Sequence, residues 1–201
     1  MVYLDNNATT PIDPRVAEKV GSFIRGNFGN PSSLYSLGRE VKSLITEARE
    51  EVAAALGARR QEIIFTSSGT EADNLAILGL IETQPEKREF ITSSIEHPAV
   101  QKTARYLEGH GYTVYYLPVD QDGIINLDFL KSVISSNTVL VSVMLANNEI
   151  GTIQPVEEVV KIAHHYGVPV HTDAVQALGK IDVKVDSLGV DLLSLSAHKV
   201  Y

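Results

Sequence analysis

The chain has 201 residues, enough for one domain with a sizeable core or most of one. Its 44% apolar and 21% charged residues are ordinary for a globular protein. A formal net charge of −8 without basic clusters argues against a nucleic-acid partner. There is no cysteine, which excludes disulfides, thiolate zinc sites and a cysteine nucleophile within these residues. The longest apolar run, "TVLVSVMLA", is about half of a membrane span. The N-terminus does not read as a signal peptide, so no membrane partner and a cytoplasmic setting are expected.

Helical periodicity then alternates with short apolar strands. Residues 14–26 and 38–56 read as helices, with Pro14 suited to a first turn and Gly57 to a C-terminal stop. "EIIF" (62–65) reads as a short buried strand, and 70–81 as a helix packed on one face. Strands are expected at 89–94, 113–119, 138–145, 168–173 and 190–196. Helices are expected after Pro98, over 127–134 and over 155–167. Strand–helix alternation with continuous apolar strands predicts an α/β fold, a mostly parallel sheet with helices on both faces. Such sheets bind ligands beyond the carboxyl ends of their strands, so the residues there matter most.

Five strand ends carry chemistry. After "EIIF", Ser68 and Glu71 have the spacing of a capping box, while Gly69 and Thr70 at the same helix start could bind a phosphate. After 89–94, His97 either caps the helix begun by Pro98 or faces the crevice as a proton carrier. After 138–145, Asn147 and Asn148 are turn residues, or an amide for a substrate carboxylate. Asp173 ends a buried strand and requires a cation; Lys180 lies seven residues on, so a ligand cation is a candidate. Lys199, with Ser196 and His198, follows the last apolar run and would emerge in the same crevice. His171 and Asp173 lack a third metal ligand, so no metal site is expected. Anion donors, an imidazole, an amide, a buried carboxylate and a lysine together match the needs of pyridoxal 5'-phosphate.

The stretches "VYLDNNATTP", "FGNPSSLYSLGR", "FTSSGTEADNLAI", "IEHPAV", "VSVMLANNEIGTIQP", "HTDAVQALGK" and "LSLSAHK" resemble the cysteine desulfurases of the NifS/IscS group, in the class-V aminotransferase family. The likeness is colinear over the whole chain and nearest the NifS branch. It implies the large domain of a fold-type I pyridoxal-phosphate enzyme, a homodimer that takes sulfur from L-cysteine and leaves L-alanine. The sulfur would pass to a scaffold or acceptor protein, for iron–sulfur cluster assembly or another use. By this resemblance Lys199 carries the cofactor covalently and shuttles a proton. Asp173 pairs with the pyridinium nitrogen, Gln176 meets the phenolic oxygen, and His97 stacks on the ring. Gly69, Thr70, Ser196 and His198 bind phosphate, and Asn148 lies on the substrate side with Ala8 and Thr9.

The resemblance also implies that residues 1–14 belong to a small domain at the active-site mouth, and 15–201 to a large domain incomplete at its C-terminus. The family's persulfide-forming cysteine and substrate-binding arginine would follow Tyr201. Two alternatives stay open: a selenocysteine lyase or aminotransferase-type enzyme of the same family, and a non-catalytic interaction module.

Overall fold

The computed structural model describes residues 2–201. They divide into two compact units, one running Thr66–Ala197 and the other formed by the residues up to Phe65 with His198–Tyr201.

The larger unit opens with α3 (Gly69–Thr83). There follow β1 (Glu89–Ser93), α4 (Pro98–Gly109), β2 (Thr113–Leu117), α5 (Leu127–Val133), β3 (Thr138–Ser142), α6 (Val156–His165), β4 (Val170–Asp173), α7 (Val185–Leu188) and β5 (Leu192–Ser194). The strands form one sheet in the order β2-β1-β3-β4-β5, and every pairing is parallel. Strands β1, β3 and β4 are buried almost without interruption, as their continuous apolar runs predict. The chain steps outward from β1 to β2, then reverses and lays β3, β4 and β5 on the other side of β1. Parallel crossovers are right-handed, so the reversal puts α4 on one face of the sheet and α5, α6 and α7 on the other. α3 joins α4: Ile77 and Ile81 of α3 and Val100, Ala104 and Leu107 of α4 share one buried cluster with Phe90, Val139 and Leu140.

Most strand limits are shorter than the sequence suggests. β2 stops before Pro118, which has no amide to give the ladder. β3 ends at Ser142 as regular strand, yet Val143 and Leu145 still donate to the carbonyls of His171 and Asp173, at 3.1 and 2.9 Å. The chain therefore stays tied to β4 until it reaches the asparagines.

The smaller unit holds α1 (Pro14–Gly26) and α2 (Ser36–Leu56), with a one-turn 3-10 helix at Arg60–Glu62. Asp13 caps α1 by accepting the Arg15 amide at 2.8 Å, and Gly57 ends α2 at φ 71°. Two glycines let backbone approach backbone. A Cβ on Gly38 would stand 2.5 Å from the Asn30 carbonyl, and one on Gly29 would stand 2.4 Å from the Leu37 carbonyl. α1 buries none of its residues.

The expected strand at 62–65 is absent, a correction to the sequence reading. Glu62 closes the 3-10 turn, and no strand among the described residues pairs with 63–65. Ile64 and Phe65 are 69% and 50% exposed. The segment is held by α2 instead: the Arg49 guanidinium donates to the Ile63 carbonyl and lies 4.8 Å over the Phe65 ring. Apolar, β-branched residues favour a strand only where a ladder is offered.

Candidate functional site

In an open parallel sheet the ligand crevice lies where the strand order reverses, beyond the carboxyl ends of the strands. Here that point falls between β1 and β3. The chain leaving β1 carries Glu96 and His97, the chain leaving β3 carries Asn147 and Asn148, and β4 ends on Asp173. The chain leaving β5 carries Ser196.

One side of this region is acidic and buried. Carboxylate oxygens of Asp73 and Asp173 and a ring nitrogen of His97 all lie within 4.8 Å of one another. Asp173 also accepts the Val175 amide at 2.9 Å. Asp73 stands one turn before Ile77 and two before Ile81, so it lies on the buried stripe of α3 and is 1% exposed. Its Oδ1 has no hydrogen-bond partner. Burial pushes the Asp73 carboxyl up to about 7, and the Asp173 charge pushes the same way.

Behind the pair sits His171, fully buried. Its Nδ1 and Nε2 each hydrogen-bond a serine hydroxyl, Ser142 and Ser194, both at 2.9 Å. Burial lowers His171 to about 4, so the ring is neutral and brings no positive charge to Asp73, 3.7 Å away. Glu96 is equally enclosed. Its Oε1 accepts from the Ser93 hydroxyl at 2.5 Å and the Met144 amide at 2.9 Å, and burial pushes it up to about 8. His97 takes the capping role, one of its two sequence readings. Its Nδ1 accepts the Ala99 amide at 3.2 Å, capping α4, while the ring stands beside the carboxylates. Accepting at Nδ1 puts the proton on Nε2 and leaves this imidazole neutral.

The other side suits an anion. Ser68 caps α3 by accepting the Glu71 amide at 3.2 Å, and the Glu71 carboxylate accepts the Ser67 amide at 2.5 Å. The expected capping box is thus made on one arm, with the glutamate reaching one residue further back. A Cβ on Gly69 would lie 3.2 Å from Val175 Cγ2 and 3.5 Å from Ser196 Cβ. The α3 N-terminus, the turn after Asp173 and the chain after β5 therefore converge. Amides at a helix start attract negative charge. Thr70 is exposed at this helix start.

One of the two asparagines takes the turn reading. Asn147 is a turn residue: its oxygen accepts the amides of Glu149 and Ile150, and its nitrogen donates to the Ile95 carbonyl. Asn148 is half-buried. Gln176 is buried, and its amide oxygen accepts from Lys180 at 2.8 Å. Lys180 thus meets Gln176. In the smaller unit, Lys199 closes a one-turn 3-10 helix, Ala197–Lys199, and is half-buried; the His198 carbonyl accepts from both the amide and the hydroxyl of Thr10 at 3.1 Å. Ala8 and Thr9 are exposed in a turn tied to the Asp5 carbonyl.

The sequence reading overlooked Asp73, Glu96, Ser142 and Ser194. For Asp73 a signal existed, a carboxylate in phase with the buried stripe of its helix. For the serines it was a hydroxyl inside a continuous apolar strand. Glu96 offered none.

Three donors within 4.8 Å can share one cation. His171 and the Glu96 Oε1 are engaged in internal hydrogen bonds, and the α3 start lies against Val175, two residues along the chain from Asp173. The donor set therefore fits a molecule with a cationic end and an anionic end better than a bare metal ion.

These features define a doubly wound α/β protein whose buried charged and polar side chains gather at its sheet reversal. The chain belongs to the aminotransferase class-V family, whose family model matches residues 2–201. It is 51% identical over its full length to a cysteine desulfurase IscS of Dictyoglomus turgidum, of which it covers 51%. It is 50% identical over 98% of its length to a cysteine desulfurase IscS of Methanosarcina thermophila, of which it covers 49%. The chain thus spans about half the length of these curated relatives. Among solved structures, a NifS-like protein matches 98% of the chain with a TM-score of 0.96 and 46% identity, and the chain covers 55% of it. A protein solved as SspA in complex with cysteine matches 99% of the chain with a TM-score of 0.95 and 40% identity, and the chain covers 58% of it.

Proposed function

We propose that this chain is the cofactor-binding part of a cysteine desulfurase that works with pyridoxal 5'-phosphate. The observation that carries the reading is the bipolar arrangement, with two buried carboxyls and an imidazole at one end and, at the other, a helix start at Gly69 packed against Val175 and Ser196. The fit is good on both counts. The orphaned Asp73 Oδ1, within 4.8 Å of the Asp173 carboxylate, is an acceptor that the N–H of a protonated pyridine can meet. The missing Cβ at Gly69 lets Val175 and Ser196 close in on the α3 start, whose first amides favour an anion such as a phosphate. When bound, the cofactor supplies an electron sink for charge on the substrate carbon.

Within this reading Asp173 keeps the pyridine nitrogen protonated. Gly69, Thr70, Ser196 and His198 hold the phosphate. His97, proton on Nε2, lies against the ring and moves a proton. The Gln176 amide nitrogen meets the ring oxygen, and Asn148, with Ala8 and Thr9, lies toward the substrate. Lys199 follows Ser196 by three residues, so its Cα is within about 11 Å of that phosphate ligand. Its amine holds the cofactor covalently and then carries a proton to and from the substrate carbon. The 201 residues contain no cysteine, so the thiolate that takes sulfur from the substrate lies outside them. A homodimer, a protein acceptor for the sulfur and a cytoplasmic setting belong to the same proposal. The curated relatives named cysteine desulfurase and the neighbour solved with cysteine support the substrate.

The test is sulfide release from L-cysteine by the protein as its gene encodes it, in the presence of a thiol reductant. Release that Lys199→Ala abolishes is expected. A variant that still releases sulfide at the parental rate contradicts the role of Lys199, and a parent inactive on cysteine contradicts the substrate.

A further inference from the structure

We propose that Thr10 is a positioning residue: its amide and hydroxyl grip the backbone on both sides of Lys199 and fix where that lysine presents its amine. The role of the amine rests on the cofactor reading above; the grip itself does not.

Three hydrogen bonds make the grip. The Thr10 amide and hydroxyl both donate to the His198 carbonyl, each at 3.1 Å. The same hydroxyl accepts the Tyr201 amide at 2.9 Å. A hydroxyl carries one proton and two lone pairs, so it donates and accepts at once. The His198 carbonyl belongs to the peptide plane that enters Lys199, and the Tyr201 amide to the plane that leaves Val200. Peptide planes are rigid, so holding these two confines the backbone of Lys199 between them and sets the direction of its Cα–Cβ bond. His198 and Tyr201 lie 188 and 191 residues from Thr10 in sequence, so the contact is tertiary.

The surroundings of Thr10 set it apart. Among the described residues before Gly38 it alone is buried, at 8% exposure. Its own conformation is narrowed twice. Pro11 keeps the residue before it out of the helical region, and branching at Cβ restricts χ1. The hydroxyl is therefore aimed by covalent structure. Ala8 and Thr9, placed toward the substrate by the same reading, directly precede it. One residue thus ties the substrate-side segment to the lysine-bearing one. A lysine amine sits on a flexible four-carbon stem, and a reacting group displaced by about 1 Å can lose about 100-fold in rate, so a fixed base for the stem matters.

The experiment follows how fast pyridoxal 5'-phosphate labels Lys199. Cofactor-free, gene-encoded protein is mixed with pyridoxal phosphate and quenched with borohydride at intervals, and the phosphopyridoxyl group on Lys199 is quantified by peptide mass spectrometry. Thr10→Val keeps the shape and the amide but removes both hydroxyl hydrogen bonds, and should label at least about tenfold more slowly per folded protein. Thr10→Ser keeps the hydroxyl and should label within about threefold of the parent. A purely structural Thr10 would lower the denaturation midpoint of Thr10→Val and leave its labelling rate parental. That result, or a Thr10→Ser as slow as Thr10→Val, would overturn the proposal.

Amide hydrogen exchange of the parent measures the grip without cofactor and without variants. The Thr10 and Tyr201 amides should exchange at least about tenfold more slowly than in the unfolded chain. Unprotected exchange at either amide overturns the proposal, even where Thr10→Val fails to fold. If no label reaches Lys199 in the parent, the cofactor reading fails, and exchange still decides the grip.

Discussion

Residues Thr66–Ala197 and the smaller unit spend their apolar residues differently. In the larger unit Phe90, Ile91, Val139, Leu140, Val141 and Val170 are fully buried, because a parallel sheet covered by helices on both faces has no wet side. The same burial surrounds Asp73, Glu96, His171 and Asp173, and it moves three of their titrations far from ordinary values. In the smaller unit α1 shows solvent Val16, Val20, Phe23 and Ile24 at helical spacing, and the residues before it expose Val2, Leu4 and Ile12. Burial creates chemistry in the first unit; in the second, tight backbone approach at Gly29 and Gly38 supplies the order.

The contrast can be broken or sharpened by substitution, and the largest effect should come from the charge at the end of β4. Asp173→Ala in the full protein should weaken pyridoxal-phosphate binding by at least about 100-fold, measured by equilibrium dialysis, since it removes the charge partner of a buried cation. Phe90→Ala should cost about 3–5 kcal/mol in denaturant unfolding, as a fully buried aromatic in a packed cluster.

Glu96 yields a pH test. Its folded value is raised from 4.5 to about 8, so the folded chain holds a proton that the unfolded chain has released. The stability this brings is complete below about 4.5 and is lost as pH rises through 8. Glu96→Gln has no such loss, so its unfolding free energy should gain on the parent by a few kcal/mol between pH 5 and pH 8.5. A constant difference across that range would mean the carboxyl is solvated.

In the smaller unit Gly38→Ala should cost about 1–3 kcal/mol, because its Cβ meets backbone oxygens at 2.5 and 2.7 Å. Ile24→Ser, on the open face of α1, should change stability by no more than about 0.5 kcal/mol. A loss as large as that of Phe90→Ala would show that α1 is covered in solution.

Much of the larger unit was legible from periodicity and punctuation. Continuous apolar runs marked parallel strands, and Pro98 and Pro155 marked helix starts. The rule that ligands gather beyond strand ends pointed to His97, Asn148 and Asp173, and the structure brings His97 and Asp173 together. Asp73 escaped because its neighbours along α3 read as a polar helix start, and only the phase with Ile77 and Ile81 reveals its burial. The strand expected at 62–65 failed for the opposite reason. Its residues favour a strand, but strand formation depends on a neighbour, which local sequence does not encode. His171 was noted only for its spacing to Asp173; its two serine partners come from β3 and β5, distant in sequence.

The central claim is that the crevice beyond β4 and β5 holds pyridoxal phosphate and that Lys199 anchors it. The direct measurement is borohydride reduction of the gene-encoded protein after incubation with pyridoxal phosphate, followed by peptide mass spectrometry. The account predicts a phosphopyridoxyl group on Lys199, and loss of cofactor retention on gel filtration in Lys199→Ala. Label confined to other lysines, or retention unchanged in Lys199→Ala, would contradict it.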